Sequence, residues 1–179
     1  MIRAFALLAS LAAPAVAQHD HANAHETDPT VLTEPGQGAF AALPEVVALL
    51  EADPATEWAR VDLDALRANL VDMDRVATRA TAQVERRPDG LRAVATGDAE
   101  TAAALGRMVP AHAAQLATDP SWTTHGVATA DGAILTVTAD DPATVVRIHA
   151  LGFFGLMASQ DHHRAHHLAL AAGGSPHGE

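Results

Sequence analysis

Residues 81–98 read TAQVERRPDGLRAVATGD and residues 122–141 read WTTHGVATADGAILTVTADD. In the first stretch, Thr81 to Arg87 and Leu91 to Thr96 flank Pro88-Asp89-Gly90. In the second, Trp122 to Thr129 and Ala133 to Ala139 flank Ala130-Asp131-Gly132. Two strand-length runs either side of Asp-Gly predict a β-hairpin, because glycine reaches the positive φ that a tight reversal demands. Each second run ends on an Asp placed to cap a helix: Asp98 after Gly97, and Asp141 before Pro142, with proline at the first helical position. The Asp-Gly pairs lie 42 residues apart, and Asp98 and Asp141 lie 43 apart. A strand–turn–strand–helix unit is therefore expected twice, over 81–117 and 122–158.

A lone hairpin is marginal in water. Two hairpins joined into one antiparallel sheet, with helices covering a face, remove that weakness. The expected fold is α+β, a two-layer sandwich with N-terminal helices and element order α-α-β-β-α-β-β-α-α. Ahead of the repeat, Phe40, Leu43, Val47 and Leu50 predict a helix near 39–51, with Pro44 suited to its first turn. Leu63, Leu66, Leu70, Met73 and Val76 recur at three and four, predicting a second helix over 62–80 with Asp62 as N-cap. The stretch after Ser159 gives the last helix, ending at Gly173-Gly174. The domain thus runs from 39 to 172, with 173–179 a disordered tail.

Ahead of that domain, Arg3, the uncharged apolar run Ala4 to Val16 and the small residues Ala15-Val16-Ala17 form a secretory signal peptide over 1–17. The run is too short for a membrane span, which needs about 20 residues. Gln18 to Gly38 reads as a disordered leader rich in acids and histidines. The expected location is the periplasm, with no membrane span after cleavage.

Composition removes several function classes. Cleavage takes Arg3 and no acid, moving the formal charge from −11 to −12 with neutral His. Nucleic acids and anionic membranes call for the opposite sign. The chain has no Cys, Lys or Tyr. Disulfides, thiolate ligands, thiol nucleophiles and Schiff bases are thereby excluded. Ser159 near Asp161 and His162 makes no triad, since one helical turn cannot align nucleophile, base and orienting acid. No phosphate loop or dinucleotide fingerprint occurs.

Histidine remains, at 11 of 179 residues. In Asp161-His162-His163-Arg164-Ala165-His166-His167, helical geometry puts His162 one turn from His166 and His163 one turn from His167, with Ala165, Leu168, Ala169 and Ala172 opposite. Two imidazoles at i and i+4 can share one ion. No Glu adjoins them as in the His-Glu-x-x-His pattern, so a metalloprotease base is missing. His112, among Leu105, Met108, Val109 and Leu116, and His149, in a helix apolar almost all round, are expected to point inward and add ligands. The candidate metal residues are thus His162, His163, His166, His167, His112 and His149. Met108 and Met157 lie near this region, and thioethers favour Cu(I), though core packing is the ordinary role. His19-Asp20-His21 and His25 of the leader offer loose chelation.

Phrases such as Gly38-Ala39-Phe40 and Val71-Asp72-Met73-Asp74 resemble exported, His-rich, uncharacterised proteins of proteobacteria. That resemblance covers most of the mature chain, implies no activity and supplies no site residues. The expected function is a non-catalytic periplasmic protein that binds a divalent metal ion, zinc or copper, through histidines. The alternative is a module whose sheet meets a periplasmic protein or a second copy of itself.

Overall fold

The computed structural model describes residues 39–160 and 163–174, with the backbone alone for 39–41 and 163–165. The proposed signal peptide, the leader and His162 lie outside the described residues. The elements are α1 (Ala39–Ala52), a 3-10 turn (Trp58–Arg60), α2 (Leu63–Arg79), β1 (Thr81–Arg87), β2 (Gly90–Thr96), α3 (Ala99–Leu116), β3 (Thr123–Thr129), β4 (Gly132–Thr138), α4 (Pro142–Met157) and α5 (His163–Ala171). The fold is α+β, with one four-stranded antiparallel sheet in the order β1-β2-β4-β3.

The duplication is visible in the register. Arg87 pairs Gly90 at one hairpin end and Thr129 pairs Gly132 at the other. Between the hairpins, Gly90 pairs Thr138 while Thr96 pairs Gly132, so an approximate two-fold axis passes between β2 and β4 at Ala93 and Leu135. The turns centre on Pro88-Asp89 and Ala130-Asp131, and each glycine becomes the first residue of the following strand. Gly90 and Gly132 share φ +151. A side chain at Gly90 would strike the Val137 carbonyl, and one at Gly132 the Ala95 carbonyl, which are repeat-related positions. Positive φ and the close carbonyl explain the glycine twice over.

Alternation along β2 and β4 buries Leu91, Ala93 and Ala95 with Ala133, Leu135 and Val137 on one face. Helix α3, which follows the first hairpin, packs mainly on β3 and β4 of the second. Helix α4, which follows the second hairpin, packs mainly on β2 of the first. Both contribute to one core with Leu105, Val109, Leu116, Ile148, Phe153 and Leu156. A smaller core joins α1, α2 and α5 through Val46, Leu50, Leu66, Leu70 and Ala171.

The predicted caps form: Asp62 accepts from Ala65 N–H, Asp98 from Thr101 N–H and Asp141 from Thr144 N–H, each at 2.8 Å. Three expectations need correction. Pro44 lies inside α1, which begins at Ala39, five residues earlier. Helix α4 is not buried all round, since Val146 is 67% and Phe154 45% exposed. It is also not continuous: Gly152, at φ 58 and ψ −163, breaks it in two. Such backbone is open essentially to glycine alone. The break turns Phe153 into the core while Phe154 stays outside, their rings edge to face at 5.1 Å.

Candidate functional site

Helix α2 carries the polar and sulfur groups that meet the histidine-rich helix α5. Asn69 and Met73 sit one turn apart on α2. Against them lie His166 and His167. The Asn69 Nδ2 amide approaches His166 Nε2 at 3.4 Å, and His167 Nε2 lies 3.3 Å from Met73 Sδ. The His166 and His167 rings stand edge to face with centroids 6.5 Å apart. Asn69 Oδ1 is enclosed and has no hydrogen-bond partner among the described residues. An enclosed carbonyl oxygen beside two imidazoles and a thioether is a concentration of donor atoms that apolar helix packing does not require.

The inward side of α5 differs from the expected one. His167 is only 7% exposed and Ala171 fully buried, whereas Ala172 is exposed. The face assigned by hydropathy is therefore rotated, and a histidine takes a core-facing position. The contact with Met73 gives the reason: imidazole and thioether pack as soft, weakly polar partners.

Helix α2 is itself pinned to α3. Asp72, 8% exposed, accepts from Arg107 Nε at 2.8 Å and from Arg107 Nη2 at 2.9 Å, with Arg75 3.8 Å away. The fork geometry fixes orientation as well as distance. The Asp72 carboxylate holds the Arg107 guanidinium above its ordinary pKa. Met73 follows Asp72 in sequence, so the bridge anchors the turn of α2 that carries it.

His112 and His149 are placed differently. His112 is 4% exposed and its Nε2–H donates to the Leu156 carbonyl at 2.8 Å. This ties α3 to the second half of α4. His149 is half-buried, not core-facing, and donates to the Gly90 carbonyl at 2.7 Å, with the Arg87 carbonyl 3.1 Å away. It clasps the β1–β2 turn from α4. A ring nitrogen that donates its proton to a carbonyl is not presenting a lone pair to an ion at that atom. Among the described residues no three His, Asp or Glu come together in a group able to hold a metal. The structure brings together His166 and His167, and it places His149 at the far turn. His163 lies in the first turn of α5, its side chain outside the described set.

Two contributors escaped the sequence reading. Asn69 carried no signal beyond a polar residue on an amphipathic helix. Met73 read as core, and its spacing to Val76 gave no reason to look further. Comparison with known proteins gives no match to a protein-family model, to a curated protein or to a solved structure.

Proposed function

We propose that the chain is an exported protein that binds a divalent metal ion, zinc or copper, through the histidines of α5, without catalysing a reaction. One observation carries this reading: α5 turns His166 and His167 onto α2, where Asn69 and Met73 meet them. Imidazole suits both metals. His163, one turn before His167 on α5, is the proposed i, i+4 partner, and His162, four positions before His166 in the sequence, is the other candidate. His112 and His149 each donate Nε2–H to a backbone carbonyl, so either would meet an ion only at Nδ1, and the proposal rests on the α5 histidines without them. Export rests on the 1–17 segment.

Metal content decides the matter. Protein purified without a histidine tag or metal resin is expected to retain metal, and apo-protein to take up Zn(II) or Cu(II) in calorimetric titration. Replacing His163 and His167 together by Ala should weaken uptake far more than replacing His19, His21 and His25. Loss only with the leader variant would move the site out of the folded domain and refute the proposal.

A further inference from the structure

The chain has four methionines. Met1 belongs to the proposed signal peptide. The other three, Met73 on α2, Met108 on α3 and Met157 on α4, all line a single cavity of about 280 Å³ where the three helices meet. Val76 and Phe154 complete its apolar walls, and no charged side chain lines it. From α5, His167 Nε2 lies 3.3 Å from the Sδ of Met73, one of the lining methionines.

Methionine commonly fills irregular gaps in a core, because three torsions let it adapt. Here the gap stays open with three thioether side chains around it. The duplication does not account for them either. At the 43-residue spacing of the capping aspartates, Met108 corresponds to Leu151 and Met157 to Ala114. Methionine stands at this junction three times, at positions the repeat does not relate to one another.

Neutral sulfur donors in an apolar setting select by softness. A divalent ion would bring two charges into a space with no carboxylate to balance them. Cu(I) and its analogue Ag(I) carry one charge and prefer thioether and imidazole ligands. We propose that Met73, Met108, Met157 and His167 form a binding site for a soft monovalent metal ion, Cu(I) in kind, in the seam between α2, α3 and α4. This goes beyond the histidine site and rests on that reading only through the shared His167. A thioether has no proton to lose, so proton competition reaches this site through one imidazole alone.

The test uses the full chain with Cu(I) kept reduced by ascorbate under anaerobic conditions, in competition with a chromophoric Cu(I) chelator, and with Ag(I) as a redox-inert probe. Removing sulfur while keeping volume uses Met73→Leu, Met108→Leu and Met157→Leu, swaps that cores tolerate well. One equivalent of Cu(I) is expected, with affinity reduced at least tenfold by Met108→Leu and Met157→Leu together and Zn(II) affinity unchanged. Selenomethionine-labelled wild-type protein needs no substitution: copper-edge absorption should show copper–selenium scattering. The leader 18–38 holds no methionine, so it cannot produce that signal. Unchanged Cu(I) affinity in the leucine variants, or absent copper–selenium scattering, overturns the thioether site. If His163→Ala with His167→Ala still abolishes Zn(II) binding, the histidine site survives that failure. A chain that takes up neither Cu(I) nor Zn(II) refutes both.

Discussion

Gly126 and Gly106 set up one substitution with opposite expected signs. Gly126 lies on β3 where α3 crosses closest. A Cβ built there would sit 2.7 Å from the Val109 carbonyl oxygen, 2.8 Å from Ala113 Cβ and 2.9 Å from Pro110 Cα. Carbon contacts ordinarily lie at about 3.5–4.0 Å, so α3 would have to retreat by roughly 0.7 Å along the sheet it covers. Two of these three atoms belong to helix backbone, which does not turn aside as a side chain would. Overpacking of this kind costs about 1–3 kcal/mol, against a gain of roughly 0.5–1 kcal/mol for replacing glycine in a strand. Gly126→Ala should therefore destabilise by about 1–2 kcal/mol. Gly106, inside α3, is the control. Its added Cβ would meet Ala128 Cβ at 3.6 Å and the Gly132 carbonyl at 3.9 Å, both ordinary contacts. Gly106→Ala should stabilise by up to about 1 kcal/mol, the helix-propensity difference. Urea unfolding reads both: with a slope of about 1–2 kcal/mol per M, the two midpoints should part by roughly 0.5–3 M. A Gly126→Ala midpoint at or above wild type would refute the close approach of α3 and, with it, the reason for glycine in β3.

Replacing His112 by Leu removes its donor to the Leu156 carbonyl and should cost at least about 1 kcal/mol in urea unfolding, with no change in metal uptake. Acid stability should depend on the caps. Asp98 is held below its ordinary value near 3.8 by the Thr101 N–H, and Asp141 by the Thr144 hydroxyl and N–H. Their depressed folded-state values make the contribution full above the ordinary carboxylate pKa and lost as pH falls through the folded one. Asp98→Asn with Asp141→Asn should flatten the stability-versus-pH curve below about pH 4, where unperturbed carboxylates titrate. An unchanged acid limb would show that the caps contribute nothing there. Divalent metal affinity should fall steeply from about pH 7.5 to about pH 5.5, because free imidazole titrates near ~6.5 and protons compete for the ligating nitrogens. Flat Zn(II) affinity over that range would exclude imidazole ligation.

The hairpins and their caps were legible because each is local. Asp-Gly between alternating runs and Asp before a helix use contacts within a few residues, and their recurrence fixed the repeat. The apolar spacing over 39–51 located α1, and only the placing of Pro44 in its first turn failed, since the helix begins five residues before that proline. Gly152 lay unnoticed in an apolar run, since hydropathy does not record backbone conformation. His149 is half-buried because the first half of α4 turns Val145 and Ile148 into the core, leaving the His149 ring beside them to meet the Gly90 carbonyl of the β1–β2 turn. Asn69 and Met73 were invisible as site residues because their partners lie 97 and 94 positions away on α5. Only the docking of α5 on α2 brings those side chains together.

The duplicated frame also explains where a site can arise. Each repeat's helix packs mainly on the other repeat's hairpin, so each hairpin is covered chiefly by the helix of the other unit. The core around the two-fold axis is filled by small and branched apolar residues, with Ala93 and Leu135 fully buried at its centre. The helices outside the repeat, α1, α2 and α5, bury a core of their own. Where the two cores abut, packing is set by neither. Met73 belongs to the smaller core, while Met108 and Met157 belong to the larger. The Asp72–Arg107 bridge holds the seam from one side, and His167 faces Met73 from α5. An ion ligated across this seam would join the two cores directly, and its binding free energy would add to the stability of the joined state alone. With Met73 on one side of the seam and Met108 and Met157 on the other, the proposed site would draw its ligands from both cores.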